Sequence, residues 1–174
     1  MSHANNAHSK GADMADITQI RAKIEVANLT GAGSDDWVYL GIAGREFVLD
    51  SGNADDFDTD TKKVFVLGEQ HEDDTEGNFT VVPVVDGEYN DPRKPQLDTE
   101  DLGLYPAYLR VEDAGNNAAL CLERVRVTVH AADGSVHRFD NLRLDTVADN
   151  RRIWLHQKYG KQLYLRRVNE RGQS

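Results

Sequence analysis

Runs in which apolar and polar residues alternate recur along the whole chain, and helical periodicity is almost absent. Residues 20–26 show the pattern clearly, because Ile20, Ala22, Ile24 and Val26 share one side, as in a half-buried strand. Clusters of Gly, Asp and Asn, which favour turns, separate the runs. The pattern predicts ten strands, at residues 20–26, 37–42, 47–49, 63–67, 79–85, 105–111, 122–129, 136–144, 153–155 and 162–165. So many short strands predict an all-β protein, either an antiparallel sandwich or a barrel.

Two acidic clusters flank the strand predicted at residues 37–42. Asp35 and Asp36 precede it, and Asp50 follows it together with the pair at 55–56. If the run after residue 46 pairs back on this strand, the loops bring both clusters to one end of a sheet. Crowded carboxylates repel one another, and calcium, which accepts about six to eight oxygen ligands, neutralises such clusters in many proteins.

A turn is the alternative explanation for the first acidic cluster. Ser34 and Asp35 are favoured before an extended strand because their side chains bond their own backbone. Asp58 and Asp60 have the spacing of solvated residues, and we do not count them as ligands. The acidic loops therefore predict either a calcium site or a pair of turns.

The charge distribution restricts the partners. The formal net charge is −10, which argues against a nucleic-acid partner because phosphate binding requires a basic face. Residues 50–101 contain sixteen Asp and Glu against four Lys and Arg, a local charge of −12, whereas residues 151–174 contain seven basic residues against one Glu, a local charge of +6. Such polarity predicts self-association or contact with an anionic surface. A basic tail packed on the protein's own acidic sheet explains it equally well.

Three consecutive stretches resemble the PLAT (lipoxygenase-homology) domain family. They read TGAGSDDWVYLGI, REFVLDSGNADDF and DTKKVFVLG, and the later LGLYPAYLRVEDAGNNAALCLERVRVTV is similar to the second half of such domains. The match spans about residues 20–155, with an acidic loop insertion at 68–98 and a C-terminal β-hairpin extension at 156–168. The resemblance implies an antiparallel eight-stranded β-sandwich without catalysis of its own. It also implies binding to a lipid surface or a protein partner, which several members of the family assist with calcium.

The resemblance also implies a set of candidate calcium ligands. They are the Gly33 carbonyl, Ser34, Asp35, Asp55 and Asp56, with Asn116 or Asn117 from a later turn. Two positions that are acidic in a member of the family, Gly31 and the turn before Leu120, carry no charge here. Because affinity falls with the charge of the ligands, we expect at most one weak calcium site.

Aromatic residues give a second set of candidates, for a lipid or partner surface. Trp37 and Tyr39 lie on the strand face opposite the apolar set Val38, Leu40 and Ile42. Exposed beside acidic loops, they would insert into a lipid interface or stack on sugar rings; covered by extra strands, they would be structural. Trp154 and Tyr159 lie among basic residues in the C-terminal segment, which suits an anionic lipid surface. The alternative there is a β-hairpin that turns at residues 159–161 and packs on the sandwich.

His130 and His137 bracket a turn and require a test as a metal site. A two-residue turn would place the two imidazoles opposite each other but would turn Phe139 away from the core. A three-residue loop pairs Val129 with Phe139 and keeps the apolar residues together, so it is favoured. The histidines then lie on opposite faces, and we predict no zinc site. No motif for nucleophilic, phosphate-binding or metalloprotease chemistry is present, and we assign no active site.

The sequence predicts one domain, at residues 19–168, preceded by a disordered segment at 1–18. The first residues have no apolar signal-peptide core, and no apolar run is long enough to span a bilayer. Cys121 is the single cysteine and is expected to be a buried apolar residue. The leading hypothesis is a lipid-docking module. The competitors are a structural protein-interaction module that assembles through its acidic and basic ends, and a small hydrolase or lyase with acidic loops.

Overall fold

The structure, a computed structural model, describes residues 14–144 and 151–169 of the chain. All ten predicted strands are present, and one short helix, which the sequence pattern did not indicate, lies before β6. The elements are β1 (Ile17–Val26), β2 (Trp37–Ile42), β3 (Arg45–Val48), β4 (Lys62–Gly68), β5 (Thr80–Pro83), α1 (Asp101–Leu104), β6 (Ala107–Glu112), β7 (Leu120–Ala131), β8 (Val136–Asp140), β9 (Ile153–Leu155) and β10 (Gln162–Val168). Strand β1 begins two residues before the predicted domain boundary, and residues 1–13 of the predicted disordered segment lie outside the described residues. No helix in the described ranges is long or apolar enough to cross a bilayer.

The strands form one curled sheet that folds over into two layers. Their order is β3-β2-β6-β10-β8-β7-β1-β4-β5, and β9 pairs with β7 outside this path. Strand β10 joins the layers, because its first half pairs with β6 and its second half with β8. The predicted sandwich is confirmed in outline, with three corrections. The predicted C-terminal β-hairpin is wrong, because β9 pairs with β7 whereas β10 pairs with β6 and β8. The sheet contains ten strands rather than the eight that the family resemblance implies, and it is mixed, since β4 and β5 run parallel.

The core lies between the two layers, where the alternating apolar residues meet. In β2, Val38, Leu40 and Ile42 are all at most 1% exposed, so the predicted inward face is correct. Cys121 is also buried, as expected, and burial raises the pKa of its thiol. Leu163 and Leu165 of β10 belong to the same apolar cluster. The segment that the family resemblance treated as an extension is therefore an integral part of the sandwich.

The β7–β8 hairpin has the predicted facing but a different register. Val129 pairs with His137, and Phe139 pairs with Val127, two residues away from the predicted pairing. Phe139 still lies on the core face at 3% exposure. The shift by an even number of residues preserves the faces, so His130 points to the outer side of the layer and His137 to the inner side.

The acidic insertion packs on the sandwich. The Arg45 guanidinium at the start of β3 donates to the carbonyl oxygens of Asp91 at 2.8 Å and Tyr89 at 2.6 Å. The Ile17 amide of β1 donates to the Leu97 carbonyl at 2.9 Å. The insertion therefore contacts strands of both layers. Pro83 lies in the edge strand β5, as its missing N–H predicts.

Candidate site at the loop end of the sandwich

Four connections between strands meet at one end of the sandwich. The antiparallel registers pair Trp37 with Glu112, Glu25 with Lys62, Val26 with Leu122 and Arg110 with Gln162. Each of these pairs lies where one strand ends and another begins. The connections at residues 27–36, 49–61, 113–119 and 156–161 consequently share this end, which we call the loop end. It contains every candidate calcium ligand and two of the four candidate aromatic residues.

Gly33 and Ser34 fasten the first of these connections to the second. The Ser34 amide donates to the Phe57 carbonyl at 3.0 Å, and the Ser34 hydroxyl accepts the Asp36 amide at 3.1 Å. A Cβ atom at Gly33 would lie 2.7 Å from the Thr59 backbone nitrogen. Only glycine permits the two backbones to approach this closely. Ser34 thus has the turn-forming hydrogen bond that the alternative explanation predicts.

Asp35 and Asp36 fasten the third connection. The Asn116 side-chain Nδ2 donates to Asp35 Oδ2 at 3.1 Å, and the Ala114 backbone amide donates to Asp36 Oδ1 at 3.0 Å. Asp36 is 5% exposed, so its carboxylate has a structural contact rather than a ligand position. The predicted proximity of the first acidic cluster to Asn116 is therefore present in the fold.

An open cleft of about 350 Å³ lies beside Asp35, and Asp58 also lines it. The sequence pattern left Asp58 out because it resembled a solvated residue. The close approach of Gly33 to the backbone at residues 58–59, which places Asp58 on this cleft, involves residues distant in sequence. No local pattern in the sequence therefore identified Asp58 as a residue of this cleft. Gly31, Gly33, Ser34, Thr59 and Ala118 form the rest of the lining.

Asp55 and Asp56 have a different partner. Lys63 Nζ lies 2.8 Å from Asp56 Oδ1 and 3.3 Å from Asp55 Oδ1. Asp56 also accepts the Ser51 amide at 2.6 Å and the Ser51 hydroxyl at 2.5 Å. Burial opposes the charge on Lys63, but the hydrogen bonds and negative charges of Asp56 and then Asp55 outweigh it and raise the pKa of Lys63. An ammonium group thus provides the positive charge that the sequence assigned to calcium.

Asn117 links the third connection, residues 113–119, to the fourth, residues 156–161. Asn117 adopts a φ of 53°, and its backbone amide donates to Asp113 Oδ1 at 3.2 Å. The amides of Gly115 and Asn117 lower the pKa of Asp113. His156 Nε2 lies 3.2 Å from the Asn117 carbonyl, and the His156 ring stacks on Tyr159 at 4.8 Å. The Asn117 backbone therefore helps to position an aromatic ring at the loop end.

The candidate ligands fit calcium only in part. Within residues 14–144 and 151–169, no group of three or more His, Cys, Asp and Glu side chains is placed to hold a metal ion. Asp55 and Asp56 do not fit, because Lys63 lies against both carboxylates. Asp35 and Asp58 fit better, since both line one open cleft and carboxylates are among the ligands that calcium prefers. A cation there would have two protein carboxylates, which is typical of a weak site.

The candidate aromatic residues differ in exposure. Trp37 at the start of β2 is 50% exposed and Tyr159 in the last connection is 62% exposed. Trp154 in β9 is 39% exposed. Tyr39 is half-buried, and the Arg110 guanidinium lies over its ring at 4.4 Å. Among the described residues, no strand covers Trp37, and the Arg110 side chain lies over Tyr39.

A serine and a histidine also meet on the inner side of the β7–β8 hairpin. His137 Nε2 lies 3.0 Å from the Ser135 hydroxyl oxygen, and Ser135 donates to Asp133 Oδ1 at 2.6 Å. Arg167 contacts His137 Nδ1. An arginine can only donate, so a neutral His137 carries its proton on Nε2 and donates to Ser135. This tautomer cannot accept the serine proton, so the contact does not activate a nucleophile.

Comparisons with known proteins identify the fold. No protein-family model matches the chain, and no curated protein matches it. A similar solved structure is the alpha toxin from Clostridium absonum, with a TM-score of 0.51 and 20% sequence identity. The alignment covers 92% of this chain and 34% of the toxin chain, so the chain spans about a third of the toxin's length. At this identity the likeness shows a shared fold, and membership in the PLAT family stays a prediction.

Proposed function

We propose that the loop end is a docking surface through which this β-sandwich binds a lipid surface. The observation that carries the proposal is the exposure of Trp37 and Tyr159 at the same end, 50% and 62%. Trp37 begins β2 directly after the first connection and Tyr159 lies in the fourth, and hydrogen bonds hold both connections to a neighbouring loop, so little side-chain or loop order has to be gained on binding. Tryptophan and tyrosine are enriched at membrane interfaces because each combines an apolar ring with a polar tip.

The charges around these rings suit an interface of mixed polarity. Lys158 and Lys161 are exposed in the fourth connection, and the acidic second connection lies at the same end of the sandwich. Basic side chains near an anionic headgroup contribute about 1 kcal/mol each, whereas the acidic loops oppose such a surface. We therefore expect moderate affinity that depends on the aromatic rings more than on the lipid charge.

Vesicle flotation tests this proposal. Burying one aromatic ring is worth about 1.5–3 kcal/mol, so Trp37→Ala and Tyr159→Ala should each weaken vesicle binding about tenfold or more. Tyr89→Ala is the matched control, because Tyr89 is 73% exposed and its carbonyl accepts from Arg45 at the opposite end. Equal loss in the control, or binding unchanged in both loop-end variants, would contradict lipid docking.

Tryptophan fluorescence provides a second readout of the same contact. The chain contains two tryptophans, so Trp154→Phe leaves Trp37 as the only one. We expect the emission of Trp37 to shift to shorter wavelength when vesicles are added, because the ring leaves water. A shift caused by a partner protein but not by vesicles would identify the alternative occupant, a protein with an apolar edge.

Weak calcium binding in the cleft of Asp35 and Asp58 would assist docking by reducing the negative charge of the loop end. A ligand that binds only the folded state raises the thermal midpoint. We expect millimolar calcium to raise it by a few degrees, and Asp35→Asn and Asp58→Asn to abolish the response. Asp60→Asn, at an exposed loop position outside the cleft, should retain it. An equal response to magnesium, or none in the native protein, would refute the site.

Head-to-tail assembly through acidic and basic ends has weaker support. Lys161 pairs with Glu112 at 3.4 Å, and Arg152 pairs with Glu123 at 3.2 Å. Part of the positive charge of the C-terminal segment is thus compensated within the chain. We also propose that the protein is not an enzyme. At the contact between Ser135 and His137, the tautomer inferred for His137 carries its proton on Nε2 and so opposes general-base catalysis.

A further inference from the structure

The outer face of the layer formed by β3, β2, β6 and the first half of β10 carries tyrosine rings in register. Leu109 and Leu163 are buried, so their strand neighbours Tyr108 and Tyr164 point to the outer side. Tyr108 pairs with Gly41 of β2 on one side and with Tyr164 on the other. A Cβ atom at Gly41 would lie 2.1 Å from Cζ of Tyr108, so this ring lies across the bare backbone of Gly41. We call this surface, which also contains Glu46, Arg110, Glu112 and Gln162, the aromatic face.

Tyr164 presents an ordered ring to the outside. Its side chain is 61% exposed. The ring centres of Tyr108 and Tyr164 lie 6.4 Å apart, with the planes at 64°, in an edge-to-face contact. The Tyr164 hydroxyl donates to Gln162 Oε1 at 3.1 Å. Because these two contacts hold the exposed ring, a ligand that stacks on it has little rotamer freedom to remove.

Ion pairs and hydrogen bonds fix the polar groups beside the rings. The Arg110 guanidinium donates to Glu46 Oε2 at 2.7 and 3.0 Å, and it also contacts Glu112. Burial raises the pKa of Tyr108, and the charge of Glu46 and a hydrogen bond to it raise this pKa further. The Tyr108 hydroxyl therefore keeps its proton at neutral pH and binds the Glu46 carboxylate. The polar groups are held in place before any ligand arrives.

The aromatic face retains hydrogen-bonding capacity beyond these internal contacts. The Tyr164 hydroxyl orients the Gln162 amide through Oε1, and the exposed Nε2 has no partner within residues 14–144 and 151–169. Glu112 accepts Arg110 and Lys161 on Oε1, whereas its Oε2 has no partner in the same ranges. The Glu112 side chain is 42% exposed. An oriented donor and an accessible acceptor thus lie beside the rings.

The charges of this surface cancel. Arg110 and Lys161 compensate Glu46 and Glu112 through ion pairs, in a chain whose formal net charge is −10. A surface without net charge does not attract a charged ligand over a distance. An apolar partner would remove water from these charged groups without replacing its hydrogen bonds, which is unfavourable. The surface therefore suits an uncharged ligand that carries its own donors and acceptors.

We infer that the aromatic face binds a neutral glycan, with a sugar ring stacked on Tyr164 and hydroxyl groups bound to Gln162 and Glu112. The C–H groups on one side of a sugar ring bury apolar area on the tyrosine, and its hydroxyls both donate and accept hydrogen bonds. Tyr108, which lies beside Tyr164, is four residues from Glu112 in β6, a separation of about 13 Å. A chain of several sugar units spans this distance, and a single sugar does not.

The aromatic face differs from the lipid-docking surface proposed above. The two meet at Glu112, which pairs with Trp37 at the start of β2. Tyr164 and Gln162 lie further along the sheet, away from the loop end, and Tyr159 lies within the loop end. Variants of these residues therefore test glycan binding and lipid docking separately.

Affinity gel electrophoresis tests the inference, with glucan, mannan, galactan or xylan dissolved in the gel. We expect at least one of these neutral polysaccharides to slow the native protein relative to a gel without polysaccharide. Tyr164→Ala should weaken this binding about tenfold or more because it removes the stacking ring, and the exposure of Tyr164 means that the variant should fold. Tyr159→Ala removes a ring of nearly equal exposure, 62%, at the loop end and should bind the polysaccharide normally.

Gln162→Glu is a second variant, which changes a polar contact and leaves the rings in place. The new carboxylate still accepts the Tyr164 hydroxyl but has no N–H to donate, so we expect the polysaccharide to bind about threefold more weakly. Asn78→Asp makes the same change from amide to carboxylate at an exposed position in the insertion, outside the aromatic face, and should bind normally.

Four results would overturn the inference. The first is a native protein that none of the four polysaccharides slows, and the second is equal weakening by Tyr164→Ala and Tyr159→Ala. The third is vesicle flotation that Tyr164→Ala abolishes in the absence of polysaccharide binding, which would assign the face to a lipid surface. The fourth is a dimer in sedimentation that Tyr164→Ala dissociates, again without polysaccharide binding, which would assign the face to a second copy of the chain. Polysaccharide binding that requires Tyr164, with vesicle binding retained in Tyr164→Ala, supports the glycan site.

Discussion

Replacing Lys63 with methionine is expected to lower the free energy of unfolding by about 3–5 kcal/mol, the usual effect of breaking a buried ion pair on one side. The Lys63 and Asp56 side chains are 11% and 7% exposed and lie 2.8 Å apart. Methionine fills a similar volume but leaves the Asp56 carboxylate buried with no cation. Urea unfolding of the two proteins, with equal m-values as a check on two-state behaviour, measures the difference.

Lys62 provides the control one residue away. Its pair with Glu25 spans 3.2 Å, but the two side chains are 32% and 20% exposed. Ion pairs near the surface contribute about 1 kcal/mol or less, so Lys62→Met should have a small effect. If Lys62→Met and Lys63→Met destabilise the protein equally, burial of the Lys63 pair does not control the stability of the loop end.

The same ion pair sets an expected dependence on alkaline pH. The pKa of Lys63 in the folded protein is raised above 10.5, its ordinary value. A raised pKa means that the folded state holds the proton more tightly than the unfolded state. The stabilisation is therefore complete below the unfolded pKa of 10.5 and is lost as the pH rises through the folded pKa. The Lys63→Met variant should lack this part of the decrease in unfolding free energy at alkaline pH.

Phe57→Ala is expected to destabilise the protein by about 3–5 kcal/mol and to loosen the loop end at the same time. Phe57 follows Asp56 in the second connection and is 5% exposed. Its ring stacks on Phe65 of β4, with ring centres 5.3 Å apart and planes at 17°. This contact holds the loop whose Phe57 carbonyl accepts a hydrogen bond from the Ser34 amide. Removing the ring leaves a cavity under both acidic clusters.

Hydrogen exchange separates a loose loop from general instability. We expect the Ser34 amide to exchange faster in Phe57→Ala than the global loss of stability requires. Phe79→Ala is the control, since Phe79 is partly exposed and contacts Lys23 at 4.3 Å on the outer face. It should cost about 1 kcal/mol, consistent with a partly exposed ring. Unchanged exchange at Ser34 would mean that Phe57 does not hold the loop end together.

Local patterns were sufficient for the strands and for the faces that they bury. The alternation around Leu40 identified β2 and its inward side correctly, because every second side chain of a strand points the same way. The same rule placed Phe139 in the core although its predicted partner was wrong by two residues. Facing depends on whether a position is odd or even, whereas register also depends on the length of the connecting turn.

Sequence reasoning also brought the acidic loops to one end of the sheet, but it misjudged what lies between the charges. It named Asp56 as a candidate calcium ligand, and the fold places the Lys63 ammonium group against this carboxylate. It set Asp58 aside, and the close approach of Gly33 to the second connection places Asp58 on the cleft beside Asp35. It treated residues 156–168 as an extension, and β10 joins the two layers.

Nearest-neighbour rules along the chain account for strand positions, inward faces and turn residues. The parallel pairing of β5, the joining role of β10 and the row of Gly41, Tyr108 and Tyr164 follow from contacts between segments far apart in sequence. A charge pattern read along one segment does not show which oppositely charged group will lie beside it. That depends on which strands become neighbours, and burial of the apolar faces of all the strands together selects those neighbours.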